Sequence, residues 1–241
     1  MKITFVGTGT MGCTDRANTS VLVDDILFDV GCGTVKQIEK LKIYTKSIRY
    51  IVISHFHADH FLDITNFLIG RNIRKELGEK LTIIGPVGIR KKVIDIMTFT
   101  HSDGNPDKYK NIEDKYNITF VELENGHKKA FDTFSIQAYC LDHGNCVPVN
   151  GYLLEKEGHK IAYCCDTTLC DNLYEICQKT EYLLCDVNGL KTKTMHIGLT
   201  DYIKMSRKYS NVKFYAIHRG DYNVEKKENI IFPIDGEIVE I

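Results

Sequence analysis

This chain of 241 residues is short of several things, and each shortage excludes a class of protein. It has no excess of either charge: 31 Lys and Arg stand against 32 Asp and Glu, a formal net charge of −1. A dedicated nucleic-acid binder carries a clear basic surplus, so any contact with a polyanion must come from local patches. No stretch approaches the ~18 consecutive apolar residues of a membrane span. The opening MKITFVGTGTMG reads as a strand entering a Gly-rich turn and lacks the regions of a signal peptide, which points to the cytoplasm. The nine cysteines include no CxxC pair. Cys164 and Cys165 are adjacent, so within one strand they face opposite ways, while Cys140, Cys177 and Cys185 lie in apolar segments. Reduced thiols acting as small hydrophobes are expected, with no disulfide framework and no cysteine nucleophile. A Pro/Ser-rich linker and a repeat of fixed period are also missing, so 1–241 is read as a single domain.

What is present alternates between strand and helix patterns, the mark of an α/β fold. KITFVG is followed by an apolar hairpin, TSVLVDDILFDVG, turning at Asp24 and Asp25. Thr34 and Gln37 have capping-box spacing before a helix faced by Val35, Ile38 and Leu41. RYIVIS is a β-branched run typical of a buried strand, and a helical pattern covers Phe61 to Leu77. A strand LTIIG and a helix beginning near Pro86 come next. Residues 98–118 are polar and weakly patterned, and are read as a surface insertion. Strands ITFVEL, FSIQAYCL, YLLCDV and KFYAIH, a hairpin GYLLEKEGHKIAYCCD, and helices near 169–178 and 201–209, the latter capped by Thr200, complete the chain.

Histidine is scarce, nine in all, yet three fall in the eight residues ISHFHADH. In an extended segment positions i and i+2 point the same way, so His55 and His57 can reach one metal ion from the end of RYIVIS. Asp59 and His60, beyond the turn, can address a second ion nearby. Imidazole and carboxylate suit Zn²⁺, and also Mn²⁺ or Fe²⁺, because ligand type alone does not fix the metal. Two ions need more ligands, and His143, Asp166 and His218 each stand where an apolar strand stops. Any one of these alone would be read as a satisfied structural residue. Their joint placement favours a site.

HFHADH resembles the HxHxDH motif of the metallo-β-lactamase superfamily, which implies a four-layer αβ/βα sandwich, two mixed β-sheets flanked by helices, with a dinuclear site. FVGTGTMG, RANTSVLV, ILFDVGCGTVKQI and LTIIGPVGI are similar to segments of its ribonuclease Z-like phosphodiesterase branch. The resemblance implies two Zn²⁺ per chain, with His55, His57 and His143 on one ion, Asp59, His60 and His218 on the other, and Asp166 bridging. Asp29 would orient a ligand histidine. Asp59, Asp186 and His196 are the implied catalytic residues, Asp186 holding His196 as the general acid that protonates the leaving oxygen. Arg219 is a candidate substrate contact, with a surface arginine as the equal alternative.

The implied reaction is hydrolysis of a phosphodiester, a metal-activated hydroxide attacking phosphorus. Several segments depart from the branch pattern. CDTT stands where Gly-Asp-Thr is usual, CDVN replaces His-Glu-Ala-Thr, and the last motif is HRGD. Only residues 144–165 separate His143 from Asp166, too few for the arm that grips tRNA in ribonuclease Z enzymes. A small nucleotide or short RNA is therefore the expected substrate, with a homodimer compatible with the resemblance. A carboxylic ester, lactone or thioester hydrolase on the same site is the alternative within enzymes, and a metal-dependent binding or sensor protein with little turnover the alternative outside them.

Overall fold

The computed structural model describes residues 1–222 and 229–241. Successive strand residues point to opposite faces, and what each face meets sets the layering. Lys2–Gly7 (β1), Ser20–Val23 (β2), Ile26–Phe28 (β3), Tyr50–Val52 (β4), Leu81–Gly85 (β5) and Ile118–Glu122 (β6) lie in one sheet. Lys128–Ala130 (β7), Phe134–Cys140 (β8), Asn150–Lys156 (β9), His159–Cys164 (β10), Tyr182–Asp186 (β11), Lys213–Ile217 (β12) and Ile230–Ile231 (β13) form another. Ile238–Glu240 (β14) returns to the first sheet beside β1, giving the orders β14-β1-β2-β3-β4-β5-β6 and β13-β12-β11-β10-β9-β8-β7. Both seven-stranded sheets are mixed: β3 to β6 and β10 to β13 run parallel, and the hairpin strands antiparallel.

Three buried apolar clusters separate four layers. Ile3, Phe5, Phe28, Val52 and Ile84 of the first sheet meet Ile136, Tyr152, Leu184 and Ile217 of the second. The outer face of the first sheet (Leu27, Ile51, Ile83) packs on Val35 and Ile38 of Thr34–Lys40 (α1), Phe67 and Leu68 of Ile64–Ile73 (α3) and Val93 of Ile89–His101 (α4). The outer face of the second (Ala162, Leu183, Phe214) packs on Leu173 and Ile176 of Asp171–Lys179 (α6) and on Tyr202 and Met205 of Leu199–Lys208 (α7). The expected four-layer sandwich is therefore the observed one. Cys164 belongs to the outer cluster and Cys165 to the inner, as strand alternation requires. All nine cysteines are free, but Cys140 is exposed rather than packed. Among the described residues no helix is long and apolar enough to cross a membrane.

Several element boundaries differ from the sequence expectation for local reasons. The helical pattern from Phe61 to Leu77 is split into Ala58–Phe61 (α2) and α3. Asp63 stands at the break, its N–H donating to Val30 O and its carboxylate accepting from Val35 N. Gly33, at φ 88°, is the N-cap of α1, and no side chain caps that helix. Helix α7 starts at Leu199 behind Gly198, while the Thr200 hydroxyl donates to Leu190 O. Residues 98–118 are not a plain surface loop. Thr98 to His101 finish α4, Ile112–Tyr116 forms α5, and Tyr109, Ile112 and Tyr116 are buried against the first outer core. Their spacing of three and four is helical, and it anchors a segment that is otherwise polar.

Candidate metal centre

The site begins where β4 ends. Beyond Val52 the chain leaves the ladder and is stitched to the facing sheet: the Tyr152 hydroxyl donates to Ile53 O at 2.8 Å and Asn150 N to Ser54 O at 3.0 Å. These bonds span the gap between sheets and fix the direction in which His55 and His57 leave the strand. His57 is the extended residue preceding α2, and the single turn of α2 presents Asp59 and His60. The Phe-Asp-x-Gly turn lies underneath, with Val30 N bonded to His60 O and Cys32 N to Ala58 O. At Gly31 a Cβ would fall 1.7 Å from Asp59 O, so only glycine allows this approach.

Two ligand sets face each other across Asp166. His55, His57, His143 and Asp166 form one group whose potential ligand atoms all lie within 4.8 Å of one another, and Asp59, His60 and His218 form a second. Asp166 Oδ2 is 3.7 Å from His55 Nε2 and 3.4 Å from His143 Nε2. Its other oxygen, Oδ1, is 3.3 Å from His60 Nε2 and 3.1 Å from His218 Nδ1. One carboxylate thus turns an oxygen toward each set. All seven residues expected as ligands are brought together, and all but the half-buried His57 are buried.

The electrostatics of these groups are those of a cavity that needs a cation. Burial, aided by the neighbouring His60 charge, pushes His55 down to about 2. Burial also keeps His143 below the ordinary histidine value. At His218 burial acts downward too, but Asp166, Asp186 and Asp59 overcome it and push the imidazole up to about 10. Desolvation would raise Asp59 and Asp166, yet the adjacent His218 and His60 hold both below the usual carboxylate range. Protons on His60 and His218 therefore do part of the work that cations would do. His55 Nε2 and His218 Nδ1 are buried without a hydrogen-bond partner among the described residues. Imidazole nitrogens and carboxylate oxygens converging in this way fit borderline divalent cations such as Zn²⁺.

Asp29 lies fully buried beneath the second set. Its Oδ2 is 2.8 Å from His60 Nδ1 and accepts the Ser54 hydroxyl at 2.7 Å and the Tyr163 hydroxyl at 2.8 Å. Asp29, Asp166 and His218 all sit at strand ends with φ of 51° to 55°, the left-handed region that favours glycine. Above the ligands, Asp186 Oδ2 is 2.7 Å from His196 Nδ1. Asp186 is fully buried, while the His196 side chain keeps 22% of its exposure. The His196 ring centroid is 5.0 Å from that of His143 and 5.4 Å from that of His218, so it overlooks both sets. An open cleft lined by His57, Gly144, Asn145, Cys146, Thr194 and Met195 borders the first ligand set at His57.

Arg219 is placed differently from the sequence expectation. It is 7% exposed, donates from Nη2 to Pro233 O at 2.8 Å and lies over the Phe232 ring. Its guanidinium braces the segment after β13 and does not face the cleft as a substrate contact would. The sequence reading also passed over three groups. Met195 O is 2.7 Å from His143 Nδ1, and Ser54 and Tyr163 hold Asp29. Tyr163 was within reach, because it shares a strand face with Cys165. A backbone carbonyl such as that of Met195 leaves no signal in side-chain identity.

Layering and clustered ligands together define a metallo-β-lactamase fold that carries His and Asp groups able to hold metal ions. More narrowly, the chain belongs to the family described as anti-Pycsar protein Apyc1, whose model matches residues 1–232. Ribonuclease Z of Staphylococcus saprophyticus is 32% identical over 163 residues, which is 64% of this chain and 49% of that protein. Ribonuclease Z of Staphylococcus carnosus matches with the same identity and coverage. The match thus spans about half the length of these curated relatives. Among solved structures, the short form of human tRNase Z superposes with a TM-score of 0.78 at 20% identity, covering 100% of this chain and 99% of that one. The Bacillus subtilis metallo-β-lactamase fold protein YhfI gives a TM-score of 0.76 at 14% identity, covering 99% of this chain and 98% of that one.

Proposed function

We propose that this protein is a phosphodiesterase that holds two divalent cations, Zn²⁺ by preference, and hydrolyses a small nucleotide. A cyclic nucleotide is the substrate that membership of its family favours. The observation that carries this reading is the pairing of a divided Asp166, one oxygen toward each ligand set, with an Asp186–His196 couple overlooking both. His55, His57 and His143 would hold one cation and Asp59, His60 and His218 the other, with Asp166 offering an oxygen to each set. When bound, the cations lower the pKa of water to about 7 and offset negative charge on phosphoryl oxygens.

The remaining steps belong to side chains. Asp186 accepts from His196 Nδ1, which leaves Nε2 to deliver a proton to the departing oxygen. Water adds to phosphorus, the P–O bond to the leaving group breaks, and the products are a phosphomonoester and a hydroxyl. The plain β9–β10 hairpin between His143 and Asp166, turning at Glu157 and Gly158, supports a small substrate over a grip on tRNA. A thioester hydrolase has less use for the acid, because a thiolate departs with little protonation. The test is turnover by zinc-loaded protein of 3′,5′-cyclic mononucleotides, a short RNA, bis(p-nitrophenyl) phosphate, a thioester and a lactone. Preference for the cyclic mononucleotides is expected. Turnover confined to the thioester or lactone would overturn the reading.

A further inference from the structure

Ser54 precedes His55 and is fully buried. Its Oγ lies 2.7 Å from Asp29 Oδ2 and 3.0 Å from His55 Nδ1. A hydroxyl has a single proton, so it donates to one of these and not to both. The Asp29 carboxylate only accepts. Its Oδ1 takes the Ser54 backbone N–H at 2.7 Å, and its Oδ2 takes the Tyr163 hydroxyl and faces His60 Nδ1, each at 2.8 Å. The serine proton is therefore committed to Asp29. What Ser54 offers His55 is an oxygen lone pair, and that bond requires hydrogen on His55 Nδ1. The lone pair of His55 is then on Nε2, the buried atom that lacks a partner among the described residues and lies 3.7 Å from Asp166 Oδ2. Asp29 also keeps a hydrogen on His60 Nδ1, and His60 Nε2 points toward His218 and Asp59.

We propose that Ser54 is a positioning residue that sets the tautomer of His55 and ties it, through Asp29, to the hydrogen on His60 Nδ1. One chain of hydrogen bonds, His55 Nδ1–H to Ser54 Oγ, Ser54 Oγ–H to Asp29 and His60 Nδ1–H to Asp29, prepares both cation positions. Ser54 is neither a ligand nor a substrate contact. It acts through the histidines, and the inference rests on the dinuclear reading above. Loss of such a supporting group typically costs about 10- to 100-fold in metal affinity. Ser54→Thr keeps the hydroxyl and restores what Ser54→Ala loses.

Two measurements on the full chain test this. Long-range ¹H–¹⁵N correlation spectra of zinc-free protein labelled at histidine nitrogen read the His55 tautomer directly, and zinc affinity is measured by competition with a chelator. The expected result is Nδ1–H at His55 in wild type and Ser54→Thr, and a shift away from it in Ser54→Ala, with weaker zinc binding. Nε2–H at His55 in the wild-type protein overturns the proposal without any variant. So does a Ser54→Ala protein with wild-type tautomer and affinity, or a Ser54→Thr protein as weak as Ser54→Ala. Neither readout needs turnover, so failure of the phosphodiesterase reading and failure of the Ser54 role are told apart.

Discussion

Replacing His196 by alanine tests the chemistry most directly, because leaving groups of different basicity separate its effect on protonation from any effect on cation binding. His196 Nδ1 is committed to a wholly buried carboxylate at 2.7 Å, and its side chain retains 22% exposure on the cleft side. Its ring stands 5.0 and 5.4 Å between centroids from those of His143 and His218, and a ring nitrogen lies within 4.8 Å of potential ligand atoms of Asp166, Asp186 and His218, so zinc affinity has to be read beside rate. General-acid catalysis is worth about 10² to 10⁴ in rate, or roughly 2.7–5.5 kcal/mol of barrier. That loss is expected for a cyclic nucleotide, whose leaving group is a basic alkoxide. A p-nitrophenyl ester, whose leaving group needs little protonation, should lose less than about tenfold. The assay is single-turnover hydrolysis of both substrates at saturating zinc, with zinc affinity measured in parallel. Equal slowing of both, with unchanged affinity, would refute the acid role and leave His196 as a contact for the phosphoryl group. Asp186→Asn is a less clean perturbation, since Asp186 Oδ1 also lies 3.5 Å from His218 Nδ1 and its loss should weaken zinc binding too.

Chelation should abolish phosphodiester turnover and lower the melting temperature, and reloaded protein should carry about two Zn²⁺ per chain by elemental analysis, as two complete ligand sets require. Gly31→Ala should cost about 1–3 kcal/mol of stability by overpacking and weaken zinc binding, because the added Cβ meets Asp59 O at 1.7 Å; chelator competition and denaturant unfolding read the two effects. The metal-free protein should lose stability as pH rises. Its His218 is raised from 6.5 to about 10 on folding, so the stabilising contribution is complete below pH 6.5 and is lost through about pH 10. Asp166 and Asp59, both lowered on folding, contribute above pH 3.8 and lose that contribution under acid. Zinc replaces the imidazole protons, so melting curves of loaded protein should show little of the alkaline decline; parallel pH profiles for the two forms would contradict this.

Much of the site was legible because its residues obey a rule of strand ends. HFHADH, His143, Asp166 and His218 each follow an apolar run, and a strand that carries its inner face into the gap between two sheets delivers its last residues to the same rim. The Asp186–His196 pair was legible only through the resemblance to the ribonuclease Z-like branch, since His196 stands in a loop and not at a strand end, and the structure brings its atoms to 2.7 Å. Helix limits were less so. The break at Asp63 depends on bonds to Val30 and Val35, more than 25 residues away in the chain, which no local pattern encodes. Arg71 is the plainest omission. It is buried and spends its guanidinium on the carbonyls of Thr45, Ile48, Glu76 and Glu79, a role invisible in a sequence where arginine reads as surface. Arg219 was misread for the converse reason, since adjacency to His218 says nothing about which way a long side chain turns.

Ten non-glycine residues among the described ones adopt left-handed φ, and burial sets three of them apart, since the other seven are exposed or half-buried. Asp29, Asp166 and His218 adopt left-handed φ at three different strand ends, and all three are buried. Glycine would avoid the steric cost that a Cβ brings there, about 1 kcal/mol or more per residue, although Asp, Asn and His bear it better than most side chains. These positions carry instead a carboxylate that orders His60, a carboxylate divided between two ligand sets, and an imidazole that closes one of them. The three strained turns re-aim side chains that a regular strand ending would direct along its own face. Local conformational preference is overridden at the three places where side-chain direction matters most to the centre, and the two flanking sheets supply the packing that holds those turns in place.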